Sequence, residues 1–368
     1  MISPGVFRLI LAMLVVIHHS FPLRLGGWAV GMFFVLSGYW IARMWNEKYS
    51  LLPNAYRTFV MSRWWRLAPL FVTTQILATA YSALTLPGSV DLKGLSIGWW
   101  VTQPFIIGST QFGRLLPPSW SLDIEMQFYL LSPILVGGLV SIHSRLPFAR
   151  AGNGKSVGRE IQRNGCDLRF VSNASLLVLF FLVTWSFVLI ASGVGAETAR
   201  WDLYGWLFVS GILAYLNKWV PERAFQWYSL ISMIGLVGFV IALPTTRELI
   251  WRAGTSANSY SPLSHHLFMM LLGIVGIPLA ISTVGRDSRS LDRWLGDLSY
   301  PLYLVHWIPR QWYYTQVDWG ASLSEKATLL LTNFMIAIVC AFALLLFVDR
   351  PIQHLRTKFL RRNKFSHI

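Results

Sequence analysis

The sequence predicts an all-α integral membrane protein of about ten transmembrane helices, with the N-terminus and the C-terminus both inside. That expectation rests on how little charge the chain carries, how long its apolar runs are, and where its basic residues fall. Of 368 residues, 54% are hydrophobic and 13% charged, and the mean hydropathy is +0.51. Soluble domains run at about a quarter charged. The apolar runs recur from residue 6 to residue 348, with no stretch between them long enough for a soluble domain. This excludes a soluble enzyme, a secreted disulfide scaffold and a disordered chain. The two cysteines, Cys166 and Cys340, lie far apart and suit neither a disulfide framework nor a metal site.

A crossing helix needs about 20 mainly apolar residues, and continuous runs of that length favour helices over ten-residue barrel strands. Spans are expected at 6–25, 27–45, 66–86, 120–140, 174–193, 203–217, 228–246, 264–284, 295–315 and 326–348. The sixth is short, and the ninth is interrupted by Pro301 and Pro309. Residues 95–112 read as an outer-face or re-entrant segment, because an eleventh crossing would invert everything after it. Under this scheme 23 of the 31 Lys and Arg fall in inner segments, as the positive-inside rule requires. The formal charge of +15 therefore needs no nucleic-acid partner. The first span has Arg8 ahead of an apolar stretch, like a signal peptide, but no small-residue cleavage site follows and it is read as retained. The 18 tryptophans fit interfacial belts. Residues 1–350 read as a membrane domain and 351–368 as a basic cytoplasmic tail.

Ionisable groups inside a span are costly and point to function. Arg8 and His19 are eleven residues apart, three turns plus about 20°, so they share a helix face at a separation of ~16 Å. The plainer alternative is a packing histidine beside a snorkelling arginine. In GMFFVLSGYWIA, Ser37 and Gly38 stand near mid-membrane, where small residues usually admit another helix. Arg63 and Arg66 in RWWRLAP have the spacing to grip phosphate, although topology alone also demands basic residues there. Ser121, Glu125 and Tyr129 follow i, i+4, i+8 and share a face. The carboxylate needs a partner, and it is suited to orienting an imidazole or a hydroxyl. Asp123, nearer the interface, reads as solvated. In LSYPLYLVHWIP, Tyr300, Tyr303 and His306 keep to one broad side, a stripe equally consistent with packing.

Depth links these residues. At 1.5 Å per residue, His19 lies ~20 Å from the inner edge, Ser37 ~15 Å and Glu125 ~8 Å from the outer edge, with His306 near the middle. Four polar groups from four helices thus fall in one central-to-outer layer, with Arg8, Arg63 and Arg66 below it.

At these residues the chain resembles the acyltransferase 3 family, membrane O-acyltransferases of surface glycans. The family's basic residue, ten residues, then histidine is matched by Arg8 and His19, and FFVLSG from Phe33 to Gly38 resembles its FFxLSG stretch. Its RxxR element is similar to Arg63 through Arg66, and its W-S-L-x-x-E-x-x-F-Y signature to Trp120, Ser121, Leu122, Glu125, Phe128 and Tyr129. Its late S-Y-x-x-Y-L-x-H-x-P element resembles Ser299 to His306, with the proline displaced to Pro309. The resemblance covers residues 1 to about 350. It implies a multi-pass protein of the bacterial inner membrane that moves an acyl group, most often acetyl, from cytoplasmic acyl-CoA (acetyl-CoA) to a hydroxyl of a glycan or lipid-linked glycan. Acyl-CoA is implied as the donor substrate, with no tightly bound cofactor. In that scheme the arginines hold CoA phosphates, and His19 takes the acceptor proton or, transiently, the acyl group. Glu125 and His306 orient the base or the acceptor, or place donors near the oxyanion. Ser37, Trp120, Ser121, Tyr129 and Tyr303 line the substrate path.

Three rival readings fit the sequence less well. A proton-coupled secondary transporter also buries His, Glu and Arg, but it would be expected to carry paired broken helices and internal symmetry, which the sequence lacks. A polyprenyl-phosphate-sugar glycosyltransferase would be expected to have an acidic first outer loop, whereas residues 21–27 are short and acid-free. A scaffold leaves the polar layer unexplained.

Overall fold

A computed structural model describes residues 2–85, 103–108, 116–145, 168–193, 201–251, 262–286, 288–318 and 322–365. Helices dominate: α1 Pro4–Ser20, α2 Gly26–Met44, α3 Ala55–Thr85, α4 Ser119–Arg145, α5 Leu168–Ala191 and α6 Trp201–Leu216 come first. They are followed by α7 Arg223–Ala242, α8 Pro262–Val284, α9 Ser290–Val305, α10 Trp307–Gln316, α11 Leu323–Leu344 and α12 Arg350–Phe365. Among the described residues there is no strand beyond one antiparallel bridge, Leu23 to Trp251. Every expected span coincides with a helix, and the ninth is two helices, α9 and α10. Of the segment 95–112, only 103–108 is described, with a 3-10 turn at Gln103–Phe105; the rest lies outside the described residues.

This is a multi-pass membrane protein. Among the described residues, Ala55–Thr85, Arg223–Ala242, Leu263–Val284 and Ser324–Leu360 are long and apolar enough to cross a bilayer. Their outward faces are apolar: Ile231, Ile234 and Phe239 on α7, and Leu331, Met335 and Val339 on α11, are all exposed. Such a surface suits lipid rather than water.

Two glycine seams set the bundle's spacing. Where α2 crosses α6, a Cβ on Gly38 would lie 2.1 Å from the Phe208 carbonyl oxygen, and one on Gly211 would lie 2.0 Å from that of Val35. Gly38 is thus the close-approach residue its position suggested. Where α1 crosses α9, Gly5 presses on the Asp292 backbone, and a Cβ on Gly296 would lie 3.1 Å from the Gly5 Cα. Only hydrogen at these Cα positions permits such approach.

Two π-helical turns interrupt the order at one end of the bundle. One, Trp45–Tyr49, follows α2; the other, Leu345–Asp349, joins α11 to α12. Such turns add a residue to the helical ladder and often mark functional sites.

Candidate active site

The first helix is held at both ends by the α9–α10 pair. At its start, the Asp292 carboxylate accepts from the Ser3 hydroxyl and from the Val6 N–H at 2.9 Å, filling the role of an N-cap for N–H groups that no helical carbonyl reaches. The Ser288 hydroxyl also donates to Asp292. Burial alone would raise the Asp292 carboxyl; the bonds from Ser288, Ser3 and the Val6 and Gly5 backbone outweigh it and hold the group below its ordinary value. At the other end, Arg310 Nε donates to the His19 carbonyl at 2.9 Å, and buried Asn333 of α11 donates to Ser20 Oγ at 3.0 Å. These ties set the register of His19 against α9 and α10.

That register brings two imidazoles together. The His19 and His306 rings stack with centroids 5.2 Å apart, and Trp307 meets His19 edge-on at 5.4 Å. His306 stands at the joint between α9 and α10. Pro309 has no N–H for the Val305 carbonyl, and its ring crowds that group, so the helix breaks one residue later. His306 is 1% exposed, and its Nδ1 lies 2.6 Å from the Tyr303 carbonyl oxygen. A carbonyl only accepts, so Nδ1 carries the proton and Nε2 the lone pair. Nε2 is buried without a hydrogen-bond partner.

A cavity of about 640 Å³ reaches Tyr303, one ring away from His306, within the 300–1,000 Å³ range of small-molecule sites. Its lining includes eight of the eleven residues singled out from the sequence: Arg8, Ser37, Arg63, Arg66, Ser121, Glu125, Tyr129 and Tyr303. Glu125 Oε1 accepts from Ser37 Oγ at 2.8 Å and from the Tyr129 hydroxyl at 2.6 Å. The expected i, i+4 contact on α4 is therefore real, and Ser37 on α2 completes it. The Ser121 and Tyr303 hydroxyls lie 2.5 Å apart and both bond the Pro118 carbonyl. The Tyr303 ring is 6.1 Å from that of His306, so a single side chain bridges the cavity wall and the imidazole pair.

Three expected residues do not line the cavity: His19 and His306 lie just behind Tyr303, and Trp120 packs on Tyr204 at 5.3 Å. Glu125 reaches hydroxyls, and no bond joins it to an imidazole. Asp123, read as solvated, is fully buried and accepts from Gln127 at 2.9 Å; the i, i+4 pairing compensates a carboxylate that faces the bundle.

The cavity lining is also basic. Arg63, 4% exposed, lies over Tyr49, Phe59 and Tyr129 at 5.6–6.0 Å, and its Nε has no partner. Burial alone would raise the Tyr49 phenol; the Arg63 guanidinium and the Ser62 hydroxyl outweigh it and hold it below its ordinary value. Four arginines that the sequence reading did not single out, Arg286, Arg293, Arg350 and Arg356, also line the cavity, with the carboxylates Asp297 and Asp349. Arg43 and Glu47 pair at 3.0 Å, away from this lining. The arrangement sets arginines and hydroxyls around one cavity, with Tyr303 between that cavity and the ring of His306.

The chain is 23% identical over 341 residues to the peptidoglycan O-acetyltransferase OatA of Listeria monocytogenes, covering 82% of this chain and 48% of that protein. It is 24% identical to the regulator of hypoxia-inducible factor 1 of Caenorhabditis elegans, over 94% of this chain and 72% of that one. It is 32% identical over 114 residues to the acyltransferase MdmB of Streptomyces mycarofaciens, 30% of this chain and 28% of that one. The chain thus spans about half the length of the Listeria relative. No solved structure matches. Residues 2–349 match the acyltransferase domain of the acyltransferase 3 type, and the chain belongs to that family.

Proposed function

We propose that the chain is a membrane O-acyltransferase that carries an acyl group, acetyl foremost, from a cytoplasmic CoA thioester to a hydroxyl of a cell-surface or secreted glycan. The Arg8 end of α1 faces the cytoplasm, the helices cross about ten times, and the protein resides in the bacterial inner membrane. The carrying observation is a cavity lined both by arginines and by the Glu125, Ser37, Ser121 and Tyr303 cluster, with Tyr303 next to the stacked His306 and His19. The family match and the O-acetyltransferase relative support the same reading.

In this mechanism Arg8, Arg63 and Arg66 hold the donor's phosphates, and the pantetheine arm follows the apolar wall of Val30, Phe33 and Leu36. His19 accepts the proton of the acceptor hydroxyl as its oxygen attacks the thioester carbonyl carbon. The C–O bond forms, a tetrahedral oxyanion develops, the C–S bond breaks, and the imidazolium returns the proton to the departing thiolate. Stacking against His306 disfavours charging both rings at once, which keeps one imidazole neutral and able to accept. Ser121 and Tyr303 turn their hydroxyls from the Pro118 carbonyl toward the developing oxyanion. Glu125 orients Ser37 and Tyr129 in the wall.

The test is mass spectrometry of surface glycans from cells with and without the gene, and with His19→Ala. An acetyl increment that needs the gene and disappears in His19→Ala is the expected result. An increment that persists in His19→Ala defeats the site assignment, and a gene without any acyl increment defeats the reaction.

A further inference from the structure

The helix that follows the last span contributes to the cavity. Asp349, Gln353 and Arg356 follow i, i+4, i+7 and line it along with Arg350. The Nε and Nη1 atoms of Arg356 are buried without hydrogen-bond partners, and Arg356 lies within electrostatic reach of Arg63 and Arg66. Arg286, ahead of α9, and Arg293, in its first turn, complete this rim. Arg293 and Arg350 are exposed, Arg63 is buried, and Arg8, Arg66, Arg286 and Arg356 are half-buried.

The charge balance shows what the rim adds. The lining holds seven arginines against the carboxylates Glu125, Asp297 and Asp349, an excess of four positive charges, and the rim supplies four of the seven. The CoA nucleotide presents two anionic groups: a diphosphate with two charges, and a 3′-phosphate monoester with ~1.5–2 at pH 7. That total of ~3.5–4 charges matches the excess.

We propose that Arg286, Arg293, Arg350 and Arg356 form a subsite for the 3′-phosphate of the donor's adenosine, so that the terminal helix distinguishes CoA from nucleotides lacking that phosphate. This rests on the reading of a CoA thioester as donor. Each guanidinium–phosphate contact is worth about a tenfold change in affinity.

The experiment is calorimetric titration of the purified full chain in detergent with CoA, adenosine 3′,5′-bisphosphate and adenosine 5′-monophosphate. Wild type should favour the bisphosphate over the monophosphate by more than ~30-fold, three contacts at half strength or better. Arg356→Gln and the exposed Arg293→Gln should each reduce that ratio about tenfold with monophosphate affinity unchanged, and Arg356→Lys should restore part of it. Equal affinity of wild type for both nucleotides, alongside CoA binding, overturns the subsite and spares the donor reading. Equal weakening of both nucleotides in Arg293→Gln reveals a merely structural role and also overturns it. A wild-type chain that binds no CoA and transfers nothing from acetyl-CoA removes the donor reading, and the subsite with it.

Discussion

The α2–α6 seam offers the sharpest perturbation. In Gly38→Ala the new methyl carbon starts 2.1 Å from the Phe208 carbonyl oxygen, and ordinary contact begins near 3.4 Å, so α2 must retreat by about 1.3 Å. Phe128 stacks on Phe208 at 3.8 Å, which keeps α4 and its Glu125 with α6 as α2 moves. Ser37, the next residue on α2, then loses its 2.8 Å bond to Glu125. Overpacking of this kind costs ~1–3 kcal/mol in stability, and a ~1 Å misplacement in a reacting site costs ~100-fold in rate. Thermal unfolding in detergent and acyl transfer in membranes measure the two effects separately. Gly211→Ala meets the same seam from the other side, at 2.0 Å from the Val35 oxygen, so the double variant should lose less than the sum of the singles. Gly137→Ala is the control: its Cβ meets nothing within 4 Å, and replacing a helical glycine gains up to ~1 kcal/mol. If Gly38→Ala melts and turns over like Gly137→Ala, the seam does not position Ser37 and the reasoning fails.

Two further outcomes follow from the site. His306→Gln removes the Nε2 lone pair and should lower kcat by ~10²–10⁴-fold while the chain still folds; wild-type turnover in a folded variant would take His306 out of the chemistry. Asp292, held below its ordinary carboxyl value, contributes stability that is complete above about pH 4, where the unfolded group is ionised, and that fades as pH falls through the lower folded value. The melting-temperature gap between wild type and Asp292→Asn should therefore stay constant from pH 7 to pH 5 and narrow toward pH 3, and a gap that widens in acid would contradict the cap.

Much of the site was legible because it obeys helix periodicity. Arg8 and His19 share a face by their eleven-residue spacing, and Glu125 and Tyr129 meet at i, i+4. The depth estimate put Ser37 and Glu125 in one broad layer, and the two are hydrogen-bonded. What periodicity could not carry is pairing between helices distant in sequence. Ser121 meets Tyr303 across 182 residues, and Asp292 caps a helix that begins 288 residues earlier. The break at His306 had a visible cause in Pro309, but the resulting joint falls on the histidine because the proline disturbs the carbonyl four residues back. Asp123 misled because a carboxylate near a helix start usually meets water. The rim arginines were hidden by a plainer explanation: basic residues after a last span satisfy topology, and the stripe at 349, 353 and 356 carried no further signal until the cavity was seen.

The π-helical turn at Leu345–Asp349 acts like a shim in the rotational phase of the final helix. One inserted residue advances everything after it by about 100°. Deleting a single residue there would swing Gln353 and Arg356 about a quarter of a revolution away from the mouth, while leaving α11 against its neighbours. A change of one codon, far from either imidazole, would thus re-aim the basic stripe without altering any side chain in it.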